Sequence, residues 1–213
     1  NADWTSNDVL KFIKPIIRPN KIGHAGTLDP FAEGILIVCI GSSTKSVSTF
    51  MDYEKEYRVE IKLGERTDTL DCTGKIIKKK MIKKLSESAI KSALKQFEGN
   101  IEQIPPMYSA IKIKGKRLYK YARQGIKVDR KARLVLIKKI KFIDFIEDHL
   151  RIEVTCGKGT YIRSLARDIA KMLGTEGYVT KLIRTRIGAF DERTSIDVKD
   201  FRDWLLLKKN LAN

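Results

Sequence analysis

The sequence predicts an α+β fold with a mixed, mostly antiparallel central sheet flanked by helices. Runs of strand-like segments are interrupted by a few separate helix-like ones, without the regular βαβ alternation of a doubly wound fold. The one GxG segment, Gly157 to Gly159, lacks the third glycine and the acidic residue that dinucleotide binding needs. With 213 residues, 42% of them hydrophobic, the chain can form one domain with a buried core.

Periodicity and cap residues define the elements of the first half. The segment "WTSNDVLKFIKPII" predicts a short helix capped by one of residues 6–8. The segment "GILIVCIG" indicates a buried strand between glycines. In "EYRVEIKLG" the alternate residues from Tyr57 to Leu63 share an apolar face, which predicts a second strand. The segment "ERTDTLDCTG" that follows is expected to be a polar loop.

The second half is predicted to contain a hairpin and further helices. The segment "SESAIKSALKQFEG" has helical spacing, with Ser86 as its cap candidate and Gly99 as its stop. The segments "RLVLIKKIKFIDFIE" and "HLRIEVTCG" are two strands joined near Asp148. The segment "GTYIRSLARDIAKMLG" is a helix with Thr160 as its N-cap and Gly174 at its C-terminal end. The segment "DVKDFRDWLLLKK" is a last amphipathic helix.

The charge balance favours a polyanionic partner. The chain has 43 Lys and Arg against 26 acidic residues, a net charge of +17, which suits a nucleic acid or an anionic membrane surface. Residues 111–141 alone hold thirteen Lys or Arg and one acid, Asp129. Arginines and aromatic residues are interleaved with these lysines, which favours RNA binding. The alternative is an ordinary solvated surface of a lysine-rich protein.

The cysteines give no indication of a metal site. Cys39, Cys72 and Cys156 form no CxxC motif or Cys/His pair, so neither a metal nor a cofactor is expected. Cys39 and Cys156 lie in apolar strand-like runs and are expected to be buried thiols of a reducing compartment. No apolar run reaches membrane-spanning length and no signal peptide is recognisable, so a cytoplasmic location without membrane attachment is expected.

Asp29 has two possible roles. It lies in "GHAGTLDPFAEGIL", where glycines permit unusual turns and Pro30 favours an extended conformation of the preceding residue. This placement would present the carboxylate for chemistry. Asp-Pro pairs also cap ordinary turns, and the segment by itself does not decide between the two roles.

Arg163 and Tyr57 are also ambiguous. With Thr160 as N-cap, Arg163 lies in the first helical turn, where the helix dipole disfavours a cation, and Arg167 adds repulsion one turn later. Such a cluster calls for an anion, either a phosphate or a carboxylate from elsewhere, unless Arg163 reaches into solvent. Tyr57 fits either the core or a base-stacking position. The carboxylates of "ERTDTLD" could bind a metal or order a ligand-binding loop.

Five segments together resemble the TruB family of tRNA pseudouridine synthases. They are "WTSNDVL", "KIGHAGTLDPFAEGIL", "EYRVEIKLGERTDTLDCTG", "IPPMYSAIKIKGKRLYKYARQGIKVDR" and "CGKGTYIRSLARD". The resemblance implies a pseudouridine synthase fold and the isomerisation of uridine-55 in the T loop of tRNA, with base flipping and no cofactor. The alternatives are a non-catalytic RNA-binding module or chaperone, and a subunit of a guide-RNA-dependent complex.

The resemblance also implies roles for particular residues. Asp29 matches the catalytic nucleophile, Tyr57 the tyrosine that stacks on the flipped uracil, and Arg163 the arginine that pairs with the nucleophile. His24 matches the histidine that displaces the target base, and residues 103–133 match an RNA-gripping insertion. The expected RNA-binding residues are His24, Lys21, Thr27, Tyr108, Lys112, Lys116, Arg117, Tyr121, Arg123, Lys158 and Tyr161.

The resemblance carries expectations about organisation as well. A single catalytic domain over residues 1–213 is expected, acting on the T-arm as a monomer without a protein partner. Members of the family begin with a strand ahead of the segment that starts at Trp4, and many continue into a PUA-type domain. Both parts are expected to be absent from these 213 residues.

Overall fold

The structure, a computed structural model, describes residues 4–210. Its helices are α1 (Ser6–Ile13), α2 (Val47–Asp52), α3 (Glu87–Lys95), α4 (Leu118–Ala122), α5 (Ile162–Met172) and α6 (Phe201–Asn210). Its strands are β1 (Ile22–Ala25), β2 (Glu33–Gly34), β3 (Ile37–Ile40), β4 (Lys55–Leu63), β5 (Glu65–Thr67), β6 (Ile76–Lys79), β7 (Gly99–Gln103), β8 (Lys112–Ile113), β9 (Lys116–Arg117), β10 (Arg133–Ile146), β11 (His149–Cys156), β12 (Gly177–Ile187) and β13 (Phe190–Asp191).

A mixed seven-stranded sheet confirms the predicted α+β class. Its strand order is β13-β12-β4-β11-β10-β7, with β2 pairing beside β12. The β10–β11 hairpin is antiparallel, as predicted, and Ile146 pairs with His149 next to its turn. The short strand β2 runs parallel to β12, with Arg184 opposite Gly34. Two-stranded ladders form from β1 with β3, β5 with β6, and β8 with β9.

Two compact units can be distinguished in the chain. The first comprises residues 1–56 and 183–213, and the second comprises residues 57–182. The expectation of a single catalytic domain over residues 1–213 stays a prediction. None of the helices within residues 4–210 combines the length and the apolar character that crossing a membrane requires.

The first unit has a small apolar core around α1. Ile13, Ile17 and Phe201 are buried together, with residues of β1, β3 and α6 packed against them. The cap of α1 differs from the prediction. It is Thr5, whose hydroxyl accepts the Asp8 N–H at 3.2 Å while the Asp8 carboxylate accepts the Thr5 N–H, forming a capping box. Ser6 is instead buried and has another contact, described below.

The second unit has its core on strands β4, β10 and β11 and on helices α3 and α5. Its most deeply buried side chains include Ile61, Ile137, Ile152 and Ile169, all at most 2% exposed. Helix α3 begins after Ser86, whose hydroxyl accepts the Ala89 N–H, as the cap pattern predicted. Burial of these branched side chains is the main source of stability, at about 1.5 to 3 kcal/mol each.

Candidate active site

Asp29 lies in a loop of the first unit that runs from Gly26 to Ile35. Gly26 and Gly34 have positive φ angles of +87° and +103°, which glycine adopts without steric cost. The Leu28 N–H donates to the Ser6 hydroxyl at 3.0 Å, and the Ala32 N–H donates to the Asp29 carbonyl at 2.9 Å. Asp29 itself is half-buried. Hydrogen bonds at Leu28 and at the Asp29 carbonyl therefore hold the main chain immediately before and after the Asp29 side chain.

Arg184, on β12, holds both ends of this loop. Its Nε donates to the Ile35 carbonyl at 2.7 Å and its Nη2 donates to the Gly26 carbonyl at 3.1 Å. The residue is 1% exposed, so the guanidinium lies inside the unit. Neither β12 nor Arg184 was predicted from the sequence. Because Arg184 occupies one of the inward-facing positions of β12, the apolar alternation that would indicate a strand is interrupted there. An isolated arginine also belongs to no recognisable motif.

His24 lies on β1, opposite Val38 of β3. Its Nδ1 is buried and has no hydrogen-bond partner within residues 4–210. Burial, and secondly the positive charge of Arg184, hold the pKa of His24 below its ordinary value. The imidazole is therefore neutral at pH 7. Lys21 and Thr27, also predicted to contact RNA, are exposed in the same unit.

Arg163 is a buried residue of the second unit, which excludes the interpretation that it reaches into solvent. It is 4% exposed. Its Nη1 lies 3.3 Å from Asp71 Oδ2 and donates to the Thr69 carbonyl at 2.9 Å, and its Nη2 donates to the Tyr108 carbonyl at 2.8 Å. The sequence predicted that this cation needs an anion, and within the second unit Asp71 supplies one. The pairing of Arg163 with Asp29, which the resemblance to the family implies, stays a prediction.

The predicted N-cap of helix α5 was wrong by one residue. The helix begins at Ile162 with Tyr161 as N-cap, so Arg163 is its second residue rather than its third. The Thr160 hydroxyl instead donates to the Gly157 carbonyl at 3.1 Å and closes the turn before the helix. The Tyr161 N–H donates to Gln103 Oε1 at 2.8 Å, so a side chain of β7 accepts from the helix start.

Asp71 is a site residue whose role sequence reasoning missed. Its Oδ1 accepts hydrogen bonds from the Thr69 hydroxyl at 2.7 Å, the Thr73 N–H at 3.0 Å and the Thr73 hydroxyl at 2.6 Å. Asp68 accepts the Lys75 N–H at 2.9 Å. These carboxylates order the loop after β5, and Asp71 in addition faces Arg163. The clustering of acidic residues in "ERTDTLD" was the available signal.

Tyr57 lies on β4, at the start of the second unit. It is half-buried, whereas Val59 and Ile61, which follow it on alternate positions of the strand, are 3% and 0% exposed. Tyr57 therefore keeps part of its surface accessible, while its strand neighbours fill the core. Lys158, in the turn before α5, is exposed.

The predicted RNA-gripping insertion, residues 103–133, folds into the β8–β9 hairpin followed by α4. Its own anchor is Leu118, which is fully buried. The ammonium of Lys116 lies 4.7 Å from the centre of the Tyr121 ring, and the guanidinium of Arg123 lies 5.4 Å from that of Tyr119. Lys112 and Arg117 face each other across the hairpin and are exposed.

The root of the insertion is fastened to α5 through backbone carbonyls. The Ile104 carbonyl accepts from the Ser164 hydroxyl at 2.9 Å and from Arg167 Nη2 at 3.3 Å. The Pro105 carbonyl accepts from Arg130 Nη1 at 3.1 Å. The bonds from Ser164, Arg167 and Arg163 tie the segment 104–108 to helix α5, and the bond from Arg130 ties it to the other end of the insertion.

The predicted site residues thus fall into two groups. Lys21, His24, Thr27 and Asp29 belong to the first unit, with Arg184 as an added member. The second unit holds the remaining predicted residues, which are Tyr57, Tyr108, Lys112, Lys116, Arg117, Tyr121, Arg123, Lys158, Tyr161 and Arg163, with Asp71 as an added member.

Comparisons with known proteins match both parts of the chain. Residues 14–162 match the family model of the TruB family pseudouridylate synthase N-terminal domain, and residues 163–213 match that of the tRNA pseudouridylate synthase B C-terminal domain. The chain is similar to tRNA pseudouridine synthase B of Clostridium tetani, with 46% identity over 199 residues, which is 93% of this chain and 69% of that protein. The corresponding protein of Caldanaerobacter subterraneus is 44% identical over 200 residues, 93% of this chain and 70% of that protein.

Solved structures support the same assignment of fold. The chain is similar to one in a crystal structure of a Cbf5-Nop10-Gar1 complex, with a TM-score of 0.76 and 29% identity. A structure of an H/ACA RNP bound to a substrate RNA containing 2'-deoxyuridine gives a TM-score of 0.72 at 26% identity. All of this chain is covered in both, against 54% and 53% of the matched chains, so it spans about half of their length.

Proposed function

Because the chain belongs to the TruB family of pseudouridylate synthases, we propose that it converts uridine to pseudouridine in the T loop of tRNA. The observation that carries the proposal is the half-buried Asp29 on a loop held at both ends, in the segment through which the sequence resembles the family. RNA binding without chemistry does not call for a carboxylate in such a position, since it repels the phosphates of the ligand. The proposed substrate, tRNA, is the reason to expect the protein in the cytoplasm.

In the proposed reaction Asp29 is the nucleophile. The N-glycosidic bond breaks, the detached uracil turns, and a bond forms between its carbon 5 and the ribose. Carbon 5 loses its proton, nitrogen 1 of the uracil gains one, and the bond that Asp29 forms to the nucleotide is broken again before the product leaves. Substrate and product are isomers, so the reaction needs no oxidant, reductant or energy source. A carboxylate must be ionised to attack, and a neighbouring guanidinium favours the ionised form. We assign this pairing role to Arg163.

The other residues receive roles that fit their surroundings. The target base lies inside a folded RNA loop and has to leave its stack, which requires displacement and capture. A neutral, partly buried His24 can take the place of a base at a lower desolvation cost than an imidazolium. Tyr57 would stack on the uracil. The exposed cations of the insertion, including Lys112 and Arg117, would contact phosphates of the T-arm, since loop shape and backbone dominate recognition of folded RNA.

The experiment is a single-turnover reaction of the purified chain with a T-arm stem-loop, followed by chemical mapping of pseudouridine. We expect product from the wild type and none from Asp29→Asn. Asp52→Asn, which changes an exposed aspartate of the same unit, is the control and is expected to react like the wild type. No product from the wild type, or undiminished product from Asp29→Asn, would contradict the proposal.

The same reaction separates the alternatives. An RNA chaperone would bind and anneal RNA equally well with Asp29→Asn, while charge reversal in residues 111–141 would abolish its function. A subunit of a guide-RNA-dependent complex would require additional components. Activity of the single chain on the bare stem-loop, without guide RNA or protein partners, is the result that we expect.

A further inference from the structure

We propose that Arg184 is a positioning residue that holds Asp29 in its reactive geometry. The inference rests on the proposed function, in which Asp29 is the nucleophile. Arg184 is the largest of the side chains that the first unit buries completely, at 1% exposure. Its guanidinium donates to the carbonyls of Gly26 and Ile35, three residues before Asp29 and six residues after it. A single side chain therefore fixes the separation of the two ends of the loop.

The backbone of Arg184 contributes a third bond to the same loop. Its carbonyl accepts the Ile35 N–H at 2.8 Å, and the parallel pairing of β2 and β12 places Arg184 opposite Gly34. Both the main chain and the side chain of one residue thus hold the segment that follows Asp29. Because a guanidinium is planar and has several N–H donors in fixed directions, it can serve two carbonyls at once, whereas a lysine offers one point charge.

Close contact between the loop and Arg184 leaves little room for adjustment. A Cβ atom on Gly34 would lie 2.2 Å from the Arg184 carbonyl oxygen, which is far below any real contact distance. A Cβ atom on Gly26 would lie 3.4 Å from Arg184 Nη1. The loop therefore packs against this residue on both sides of Asp29, with a close approach at Gly34 and an ordinary contact at Gly26. A shift of about 1 Å in a reacting group lowers a rate about 100-fold.

Arg186 shows that this arrangement is specific to Arg184. It lies two residues further along β12, and its guanidinium donates to the Gly188 carbonyl and to the carboxylates of Glu54 and Glu56. Its side chain is 30% exposed, and none of these bonds involves the Asp29 loop. Arg186→Lys is therefore a matched control, since it removes the same donor geometry from the same strand and unit.

The test compares Arg184→Lys, Arg186→Lys and Asp29→Asn with the wild type. The single-turnover rate constant at saturating T-arm stem-loop and the dissociation constant of that RNA are both measured, at a temperature where circular dichroism shows each variant folded. For Arg184→Lys we expect a rate about 100-fold lower with an RNA dissociation constant within about threefold of the wild type. For Arg186→Lys we expect both quantities within about threefold. A purely structural role would lower the melting temperatures of both variants and leave the rate of the folded protein unchanged.

Three results would overturn the role of Arg184. They are a rate for Arg184→Lys close to the wild type, an equal loss of rate in Arg186→Lys, and a loss explained by weaker RNA binding. If Arg184→Lys does not fold, Gly26→Ala decides, because it strains the backbone at φ +87° at the residue whose carbonyl Arg184 binds, with the added methyl group in contact with Nη1. Its control is Gly174→Ala, at φ +78° with open space around the added atom. A rate loss confined to Gly26→Ala supports the inference, and equal rates for the two variants refute it.

The inference and the proposed function fail in different ways. A wild type that forms no product overturns the proposed function and the role of Arg184 with it. A wild type that is active, with Asp29→Asn inactive and Arg184→Lys fully active, overturns the role of Arg184 alone.

Discussion

Replacing Asp71 by Asn removes the carboxylate that faces the buried guanidinium of Arg163 and preserves the size of the side chain. Each of the two residues is 4% exposed, so solvent cannot replace the missing partner. Removing one member of a buried ion pair costs about 3 to 5 kcal/mol of unfolding free energy. The lower end, about 3 kcal/mol, applies because the Thr69 and Tyr108 carbonyls still accept from Arg163. In a chain of this size that destabilisation lowers the melting temperature by about 6 to 12 °C.

Thermal unfolding followed by circular dichroism measures this effect, with Asp68→Asn as the control. Asp68 belongs to the same loop, but its hydrogen bond to the Lys75 N–H is local and exposed. We expect the control to shift the melting temperature by about 2 to 4 °C, since one exposed hydrogen bond contributes about 1 kcal/mol. Equal melting temperatures for the two variants would show that the Asp71–Arg163 pair does not stabilise the second unit, and would refute the reasoning.

Three further predictions concern the insertion and His24. Leu118→Ala should cost about 2 to 5 kcal/mol of stability in the insertion and expose its hairpin to trypsin before the rest of the chain is cleaved, which a digestion time course would show or exclude. The double change Lys112→Gln and Arg117→Gln should lower the slope of log affinity against log salt by about 0.7 to 0.9 for each RNA phosphate that the protein no longer neutralises, and Lys84→Gln, an exposed lysine outside the insertion, should leave the slope unchanged. The pKa of His24 is lowered in the folded state, so its stabilising contribution is complete above a pH of about 6.5 and disappears as the pH falls. The melting temperature of His24→Gln should therefore depend less on pH than that of the wild type between about pH 7.5 and 5.5. Equal pH dependence of the two melting temperatures would contradict the lowered pKa.

Elements with strong periodicity could be predicted from the sequence. The β10–β11 hairpin, strand β4, helix α3 with its Ser86 cap, and the last helix all follow from local patterns that tertiary contacts reinforce. The errors lie in strands that the sequence did not reveal and at helix starts. Strand β12 was not predicted, and β5 occupies the first part of the segment expected to be a polar loop. Thr5 caps α1 in place of a residue from 6–8, because the hydroxyl of Ser6 instead accepts the Leu28 N–H. Competing partners of that kind are brought together by the fold and cannot be read from the neighbouring residues.

The candidate site was predictable where a residue type is unusual for its position. A cation in the first turn of α5 indicated that Arg163 needs an anion, and the structure supplies Asp71, more than ninety residues earlier in the chain. Nothing in the spacing could select Asp71 over the other carboxylates of the sequence. Arg184 is the complementary case, since a buried arginine looks like a surface residue in the sequence. Its acceptors are backbone carbonyls, which leave no mark on composition or pattern.

The hydrogen bonds at the root of the insertion determine which positions there tolerate a change of amino acid. Every residue of the segment 104–108 has a carbonyl, so substitutions that keep the backbone path preserve its acceptors. The donor positions do not tolerate such substitutions, because Arg130, Ser164 and Arg167 donate these hydrogen bonds from their side chains. Exchange of the insertion tip for that of a relative would therefore keep its attachment as long as these donors stay. In the proposed function, where the insertion contacts the RNA, RNA preference and bond-breaking chemistry would then diversify separately within one protein.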